Sequence, residues 1–558
     1  MVRATFSGFN TALSALQANQ KRLDITGQNL SNMNTAGYTR QQLEASSLNY
    51  TNPVSHYSNG NETAVGFGVS MDRVSQIRDP YLDIQYRSQS ADCSYTNRLQ
   101  TALNSLSKVL DETTISGIRQ AFDDIQSTLT SMQDPAKVSD PIYESELRTK
   151  MQSVCNLFNQ ASRQISQAEQ NEFQRLTGEG SSEQGDVQKI NDILRQIGDL
   201  NVQIKRNQVA GHPSLELQDE RNLLLDELSG YIPVETRYYK DDAHSGNNAY
   251  DYDANGAVIG KKDWPDDLEV SMNYIDAQGK SQKLILVNGS DLGADGLTKN
   301  YGQLSVLKGD HQTAASVSDP ANISIKFEKA PSYKVNGQAA NDIYAELKGI
   351  HFEGGSLQAS LDMLQKTGTG NVINGSTAVD DVRGYQYYSG KLDQLASTFA
   401  KSMNDINNKG KNPKDQNLLS NSTDDSTTGI TAGNIGISKG WTSGTIHIST
   451  DGTNRTDTIL DMIAAMKDTK KLNGKTFADY MNNLSTQLAS DSSSNQTALK
   501  TGTTVLNSIQ DSRDSLSGVS LDEEATNMMA YVSAYNAASR LMTALDEVLN
   551  TLISNTGA

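Results

Sequence analysis

The sequence predicts a mainly α, elongated multidomain protein with a β-rich inserted domain. Its topology is nested out and back, so that the N- and C-terminal helices pair as a coiled coil. Three observations predict this. Both ends of the sequence carry apolar residues stepped by three and four: Phe6, Phe9, Leu13, Leu16, Leu23 and Leu30 at one end, and Leu521, Met528, Tyr531, Tyr535, Ala538, Met542, Leu545, Leu549 and Leu552 at the other. That is the heptad alternation whose narrow stripe packs helix against helix. Between 232 and 352 the texture changes to short runs alternating apolar and polar, the period of strands. Helical spacing then returns, which puts the strand domain at the far point and the two seams at one end.

The elements follow in order. No proline occurs before Pro53 or after Pro413, and 519–556 holds neither proline nor glycine, the residues that most disfavour helix interiors. Ser520 or Asp522, with Glu523 and Glu524 behind, suits the start of the last helix, where a capping side chain and negative charge are favourable. At 1.5 Å per residue these seams make rods of roughly 38 and 48 Å. Such helices are marginal alone in water, so the ends are expected to be poorly ordered in a lone chain. Asn32 to Gly37 stops the first seam with turn residues, and 41–80 reads as extended and loop-rich. From Leu82 to Ile204 the pattern is helical, broken at Asp134-Pro135 and Asp140-Pro141, and Leu223 to Leu228 close the block. Asn288-Gly289, Asp295-Gly296 and Asn336-Gly337 read as hairpin turns in the strand region. Helical spacing resumes at Leu357 and Leu392, short β-like runs lie at Ile430–Ile437 and Thr445–Ile448, and helices continue from Ile459. The expected division is 1–80 with 515–558 as a terminal coiled-coil domain, 81–231 with 356–514 as a helical domain with short β segments near 428–450, and 232–355 as the β-rich insert.

Composition narrows the function classes. The 558 residues hold 48 Lys+Arg against 66 Asp+Glu, a net charge of −18, which argues against a phosphate-backbone binder. No apolar run approaches a bilayer span, and polar residues interrupt every apolar stretch near Arg3, so neither a membrane span nor a cleaved signal peptide is expected. Cys93 and Cys155 sit within helical patterns and read as small buried hydrophobes, a bridge between them being the alternative. The six histidines are dispersed, and neither a zincin, a nucleophile-elbow nor a phosphate-loop motif occurs. No enzyme activity, cofactor or metal is expected. Asp251-Tyr-Asp253-Ala-Asn255-Gly256 has the first half of a calcium loop, but Lys262 stands at the twelfth position. An acidic hairpin turn fits it better.

At this point the residues resemble a known family. Asn29-Leu-Ser-Asn32-Met-Asn34-Thr35-Ala-Gly37-Tyr38-Thr-Arg40 is similar to the N-terminal signature of the rod, hook and hook-associated proteins of bacterial flagella. Gly518-Val519-Ser520-Leu521-Asp522-Glu523-Glu524, followed by the Tyr531/Tyr535/Ala538 seam, resembles the matching C-terminal signature. Leu217–Leu228, Gly354-Gly355-Ser-Leu357 and Leu392-Asp393-Gln394-Leu395-Ala396 look like the hook-associated branch of this axial-protein family. The resemblance implies a structural adaptor joining hook to filament, exported unfolded through the flagellar type III channel and assembled outside the cell. The implied partners are further copies in a ring or helical lattice, hook protein, the second hook-associated protein, and a cytoplasmic export chaperone on the C-terminal helix. Hook protein itself, the second hook-associated protein, or a surface adhesin or hydrolase carried by the insert are the alternatives. Turn formation and bonds between subunits account for Asn29, Asn32 and Arg40 on this reading.

Overall fold

The structure is a computed structural model. It describes residues 2–48, 68–110, 112–240, 250–252, 258–261, 266–275, 280–289, 300–310, 312–328, 334–335, 338–339, 343–345, 351–368, 372–373, 376–377, 382–409, 415–450 and 453–556. Helices dominate. α1 (Val2–Ser31) leads into a two-stranded antiparallel ribbon, β1 (Gln41–Ser47) with β2 (Val69–Gln76). Then come α2 (Pro80–Val109), α3 (Glu112–Ser131), α4 (Pro135–Val138), α5 (Pro141–Thr177), α6 (Asp186–Val209) and α7 (Leu215–Tyr231). The Asp-Pro pairs do not merely interrupt the chain; they start helices. The carboxylates of Asp79, Asp134 and Asp140 each accept from the amide two residues on, at 2.9, 3.0 and 2.8 Å. The proline behind each occupies a position whose N–H would be orphaned anyway.

The strand region holds β3 (Glu235–Lys240), β4 (Tyr250–Tyr252), β5 (Val258–Lys261), β6 (Asp266–Ile275), β7 (Ser281–Asn288), β8 (Gln303–Lys308), β9 (Ile323–Glu328), β10 (Lys334–Val335), β11 (Gln338–Ala339), β12 (Ile343–Ala345) and β13 (His351–Phe352). All pairings are antiparallel: β6 lies against β3, β7 and β13, and β9 lies between β8 and β12. Asn288-Gly289 does not close a two-residue hairpin, since Asn288 N–H donates to the Asn300 carbonyl and Val287 bridges to Tyr301. Asp295-Gly296 and the calcium-like Asp253–Gly256 stretch lie outside the described residues. The sheet is tied to α6 by amides: Asn191 Nδ2 donates to the Leu304 carbonyl at 2.8 Å, and Asn201 Nδ2 donates to that of Leu268 at 3.1 Å.

The chain returns through α8 (Gly355–Gln365), the short β14 (Val372–Ile373) and β15 (Ser376–Thr377), and α9 (Tyr385–Asn407). β16 (Leu419–Asn421) pairs with β17 (Ile435–Ile437), followed by α10 (Lys439–Ser443), α11 (Asp457–Lys467), α12 (Phe477–Ser517) and α13 (Leu521–Thr556). Thr445–Ile448 forms no strand; the stretch is irregular, and its alternation reflects packing of Ile448 into the core. Gly355 opens α8 at φ +84°, where a Cβ would stand 2.3 Å from the Tyr231 carbonyl oxygen, so only glycine fits.

One core runs through the helical body and into the sheet. At its centre Phe399 meets Phe122 and Phe477 with ring centroids 5.2 and 5.6 Å apart, and Phe122 meets Phe158 at 6.0 Å. All four rings are buried. Phe399→Ala is expected to cost about 3–5 kcal/mol of body stability, read as a drop in the midpoint of denaturant unfolding without loss of helix below it.

Candidate functional site

α1 and α13 lie side by side and antiparallel. Three contacts fix their register. A Cβ placed on Gly8 would stand 3.3 Å from a Leu545 methyl, the Arg22 guanidinium sits 5.6 Å from the Tyr531 ring centroid, and Asn29 Nδ2 is 3.4 Å from Glu524 Oε2. Fourteen and then seven residues along α1 match the same steps back along α13. On α13 the line facing α1 is Met528, Tyr531, Met542, Leu545, Leu549 and Leu552, all half-buried, with Ala538 buried. Tyr535 sits at its edge, 37% exposed, and Leu521 lies outside it at 52% exposed.

On α1 the facing line differs from the leucine stripe. It follows Gly8, Ala15, Arg22 and Asn29, with Ala12, Asn19 and Thr26 buried beside it. Phe9, Leu16, Leu23 and Leu30 are half-buried and Leu13 is 46% exposed. These sit one residue further along, turned about 100° from the pairing line. The side chain of Phe6 lies outside the described residues. The physical reason is size: α13 supplies bulky Met, Tyr and Leu knobs, which need the shallow surface of Gly and Ala on the other helix. Ala18 and Ile25 are buried on the opposite flank, the side of the β1–β2 ribbon, where Val69 N–H donates to Ser14 Oγ at 3.2 Å. Each end is helical and covered on one side, and open on another.

At the body end of this hairpin the two signature segments meet. Asn29, 1% exposed, is fully used: Nδ2 donates to the Gln41 carbonyl at 3.0 Å, and Oδ1 accepts from Gln41 N–H at 3.0 Å and Tyr38 Oη at 2.9 Å. Burial, and then the charges of Glu216, Asp219 and Glu524, push the Tyr38 phenol well above its usual range, so it stays a neutral donor. Arg40 Nε pairs with the buried Glu524 at 2.8 Å and Nη1 with Glu523 at 2.7 Å, while its N–H donates to the Ser517 carbonyl at 2.9 Å. These bonds lie within one chain, not between subunits. Asn32 makes the turn, donating to the Gln28 carbonyl and accepting from Thr35 Oγ1. Asn34, Gly37 and Asp522 are exposed. Gly518 breaks α12 from α13, where a Cβ would stand 2.4 Å from the Asp514 carbonyl oxygen.

Sequence reasoning missed the joint to the body. Thr39 donates to Asp219 through its N–H at 3.0 Å and its Oγ1 at 2.6 Å. Burial raises the Asp219 carboxyl, and the Thr39 bonds pull it the other way. Arg513 spans Asp83 at 3.1 Å and Asp226 at 2.7 Å over the Tyr86 ring, and Arg87 reaches Asp226 at 2.8 Å. The available signal was the charge in Leu217–Leu228, where Asp219 and Asp226 interrupt a leucine-rich helix. The cleft beneath is lined by Tyr38, Thr39, Asp83, Asp226 and Arg513; Tyr38 is bonded to Asn29, Thr39 to Asp219, and Asp83 and Asp226 to Arg513. Among the described residues no cluster of His, Cys, Asp and Glu could hold a metal, and no helix is long and apolar enough to cross a membrane. Cys93 and Cys155 are free and buried, and burial pushes the Cys155 thiol up to about 12.

Comparison with known proteins matches three stretches of the chain. Residues 9–39 match the model of the flagella basal body rod protein, 103–262 that of the flagellar hook-associated protein FlgK helical domain, and 512–555 that of the flagellar basal body rod FlgEFG protein C-terminal region. Flagellar hook-associated protein 1 of Bacillus subtilis is 28% identical over 568 residues, covering 99% of each chain. The protein of the same name from Salmonella typhimurium is 29% identical over 230 residues, 40% of this chain and 38% of that one. The solved structure of the flagellar hook junction protein FlgK from Burkholderia pseudomallei aligns at a TM-score of 0.39 and 19% identity, over 61% of this chain and 46% of that one. With matches to rod-type segments at both ends, to the FlgK helical domain between them and to an end-to-end relative, the chain is similar along its whole length to flagellar hook-associated protein 1.

Proposed function

We propose that the chain is a non-enzymatic adaptor joining hook to filament, exported from the cell and built into the flagellum by self-assembly of its terminal hairpin. One observation carries this reading: the hairpin is covered on one side only. Leu13, Leu521, Met529, Val532, Leu541, Val548 and Ile553 are all exposed along it. A run of large apolar residues on a rod is an interaction surface awaiting partners. Those partners are neighbouring copies around the tube, hook protein below and the second hook-associated protein above. Before export, a chaperone shields the C-terminal helix. Deleting the gene is expected to leave hooks without filaments, with filament subunits released into the medium. The full chain restores filaments, whereas a chain lacking 521–558 does not. Filaments on cells that carry only the shortened chain would refute the proposal.

A further inference from the structure

α12 is seated in the core for only about its first three turns. Phe477, Tyr480, Met481, Leu484 and Leu488 are buried, and beyond Leu488 no residue of this helix, among those described, is buried. Its apolar residues there are half-buried, as Leu499, Leu506 and Ile509 are, or exposed, as Val505 is. Polar groups hold much of this half to the antiparallel α2. Gln100 Nε2 donates to Ser492 Oγ at 2.8 Å, and Asn495 Nδ2 donates to Gln100 Oε1 and to the Thr96 carbonyl, both at 2.9 Å. Further along, Gly502 lies over Cys93, where a Cβ would stand 3.0 Å from the sulfur. Charged groups tie both ends of the stretch. Asp491 pairs with Arg383 at 2.6 Å, and Arg513 pairs with Asp83 and Asp226.

The helix between these ties is weak in itself. Ten of the fifteen residues in 490–504 are Ser, Thr, Asn or Gly, each a poorer helix former than Ala or Leu. Thr497, Thr501, Thr503 and Thr504 also turn their hydroxyls back to carbonyls four residues earlier, which bends and slightly destabilises a helix. A hydrogen bond given up on opening is largely replaced by one to water, whereas a buried leucine finds no such substitute. The stretch therefore opens more readily than the core around it.

We propose that residues 492–512 form a strap that lifts off α2 as one unit while the body stays folded, with Arg513 as its clasp. The strap leads straight into α13, so its opening lets the last helix move relative to the body with the core intact. This goes beyond the adaptor reading and does not depend on it, since the strap belongs to the single chain.

The chain carries its own reporters, because Cys93 lies under the strap and Cys155 in the core. In the purified full chain without denaturant, a maleimide is expected to label Cys93 at least about a hundredfold faster than Cys155. Arg513→Gln unfastens the clasp. It is expected to raise the Cys93 rate at least about tenfold and to leave that of Cys155 unchanged. Equal rates for the two thiols in the unmodified chain, or a variant in which Cys93 is no faster or both rise together, would overturn the proposal. Amide exchange supplies a second measurement. Residues 492–512 are expected to exchange as one group, at least about tenfold faster than 477–488 of the same helix; equal protection would refute the strap. Gly502→Cys puts a second sulfur within bonding reach of Cys93. Oxidising that variant is expected to slow exchange across 492–512 to the level of 477–488, and reduction to restore it. A strap that exchanges as fast when oxidised as when reduced would refute it as well.

Discussion

Leu545→Asp is expected to leave the helical body folded and to abolish incorporation of the chain into flagella. Leu545 packs its methyls against α1 where Gly8 leaves room; a Cβ placed there would stand only 3.3 Å from a Leu545 methyl. The substitution removes about 1.5–3 kcal/mol of apolar burial and adds a carboxylate that must either be desolvated or pry the helices apart. The body does not share this loss. Its core is built from α2, α3, α5, α6, α8, α9, α11 and the first turns of α12, and Leu545 is not among its residues. Circular dichroism of the purified variant should therefore show the body's unfolding transition unmoved, with helix lost only from the ends. Counting filaments on cells that carry only this variant decides the rest. Normal filament numbers would sink the claim, and Ser539→Asp, on an exposed position of the same helix, serves as the control that should assemble.

The mainly α class with a β-containing region was legible because periodicity is a one-dimensional property. The three-four steps at both ends and the alternation after Tyr231 report which faces must be covered, whatever covers them. What covers them is not one-dimensional. On α1 the most hydrophobic stripe is Leu13, Leu16 and Leu23, and hydrophobicity alone nominates it for the helix pair. The structure gives that place to Gly8, Ala12 and Ala15, because the partner's bulk decides which face is complementary. The joint was illegible for a related reason. Asp219 and Asp226 on α7 acquire meaning only once Thr39, Arg87 and Arg513 arrive from distant parts of the chain. Asn29 shows the intermediate case. Its place in a recognisable signature was visible, but its saturation by Tyr38, Gln41 and Glu524 needed coordinates.

Arg40→Met is expected to loosen the start of α13 more than any other single change at this joint. Glu524 is 2% exposed and its strong partner is Arg40 Nε at 2.8 Å, with Asn29 Nδ2 more distant at 3.4 Å. Removing the guanidinium leaves a buried carboxylate uncompensated, which costs about 3–5 kcal/mol, far more than the pair contributes when intact. Glu523, 62% exposed on the same arginine, loses little because water replaces its partner. The cost falls on the docking of α13 against α1, so amide hydrogens of the first turns of α13 should exchange about a hundred- to several-thousandfold faster, while those of α5 and α9 keep their protection. Pairing Arg40→Met with Glu524→Met should recover most of the loss, since no charge then stays buried. That recovery separates a register-setting ion pair from a merely well-packed arginine. If the single variant exchanges like the unmodified chain, or the double variant is worse than the single, the Asn29–Arg40–Glu524 cluster does not hold the two ends in register.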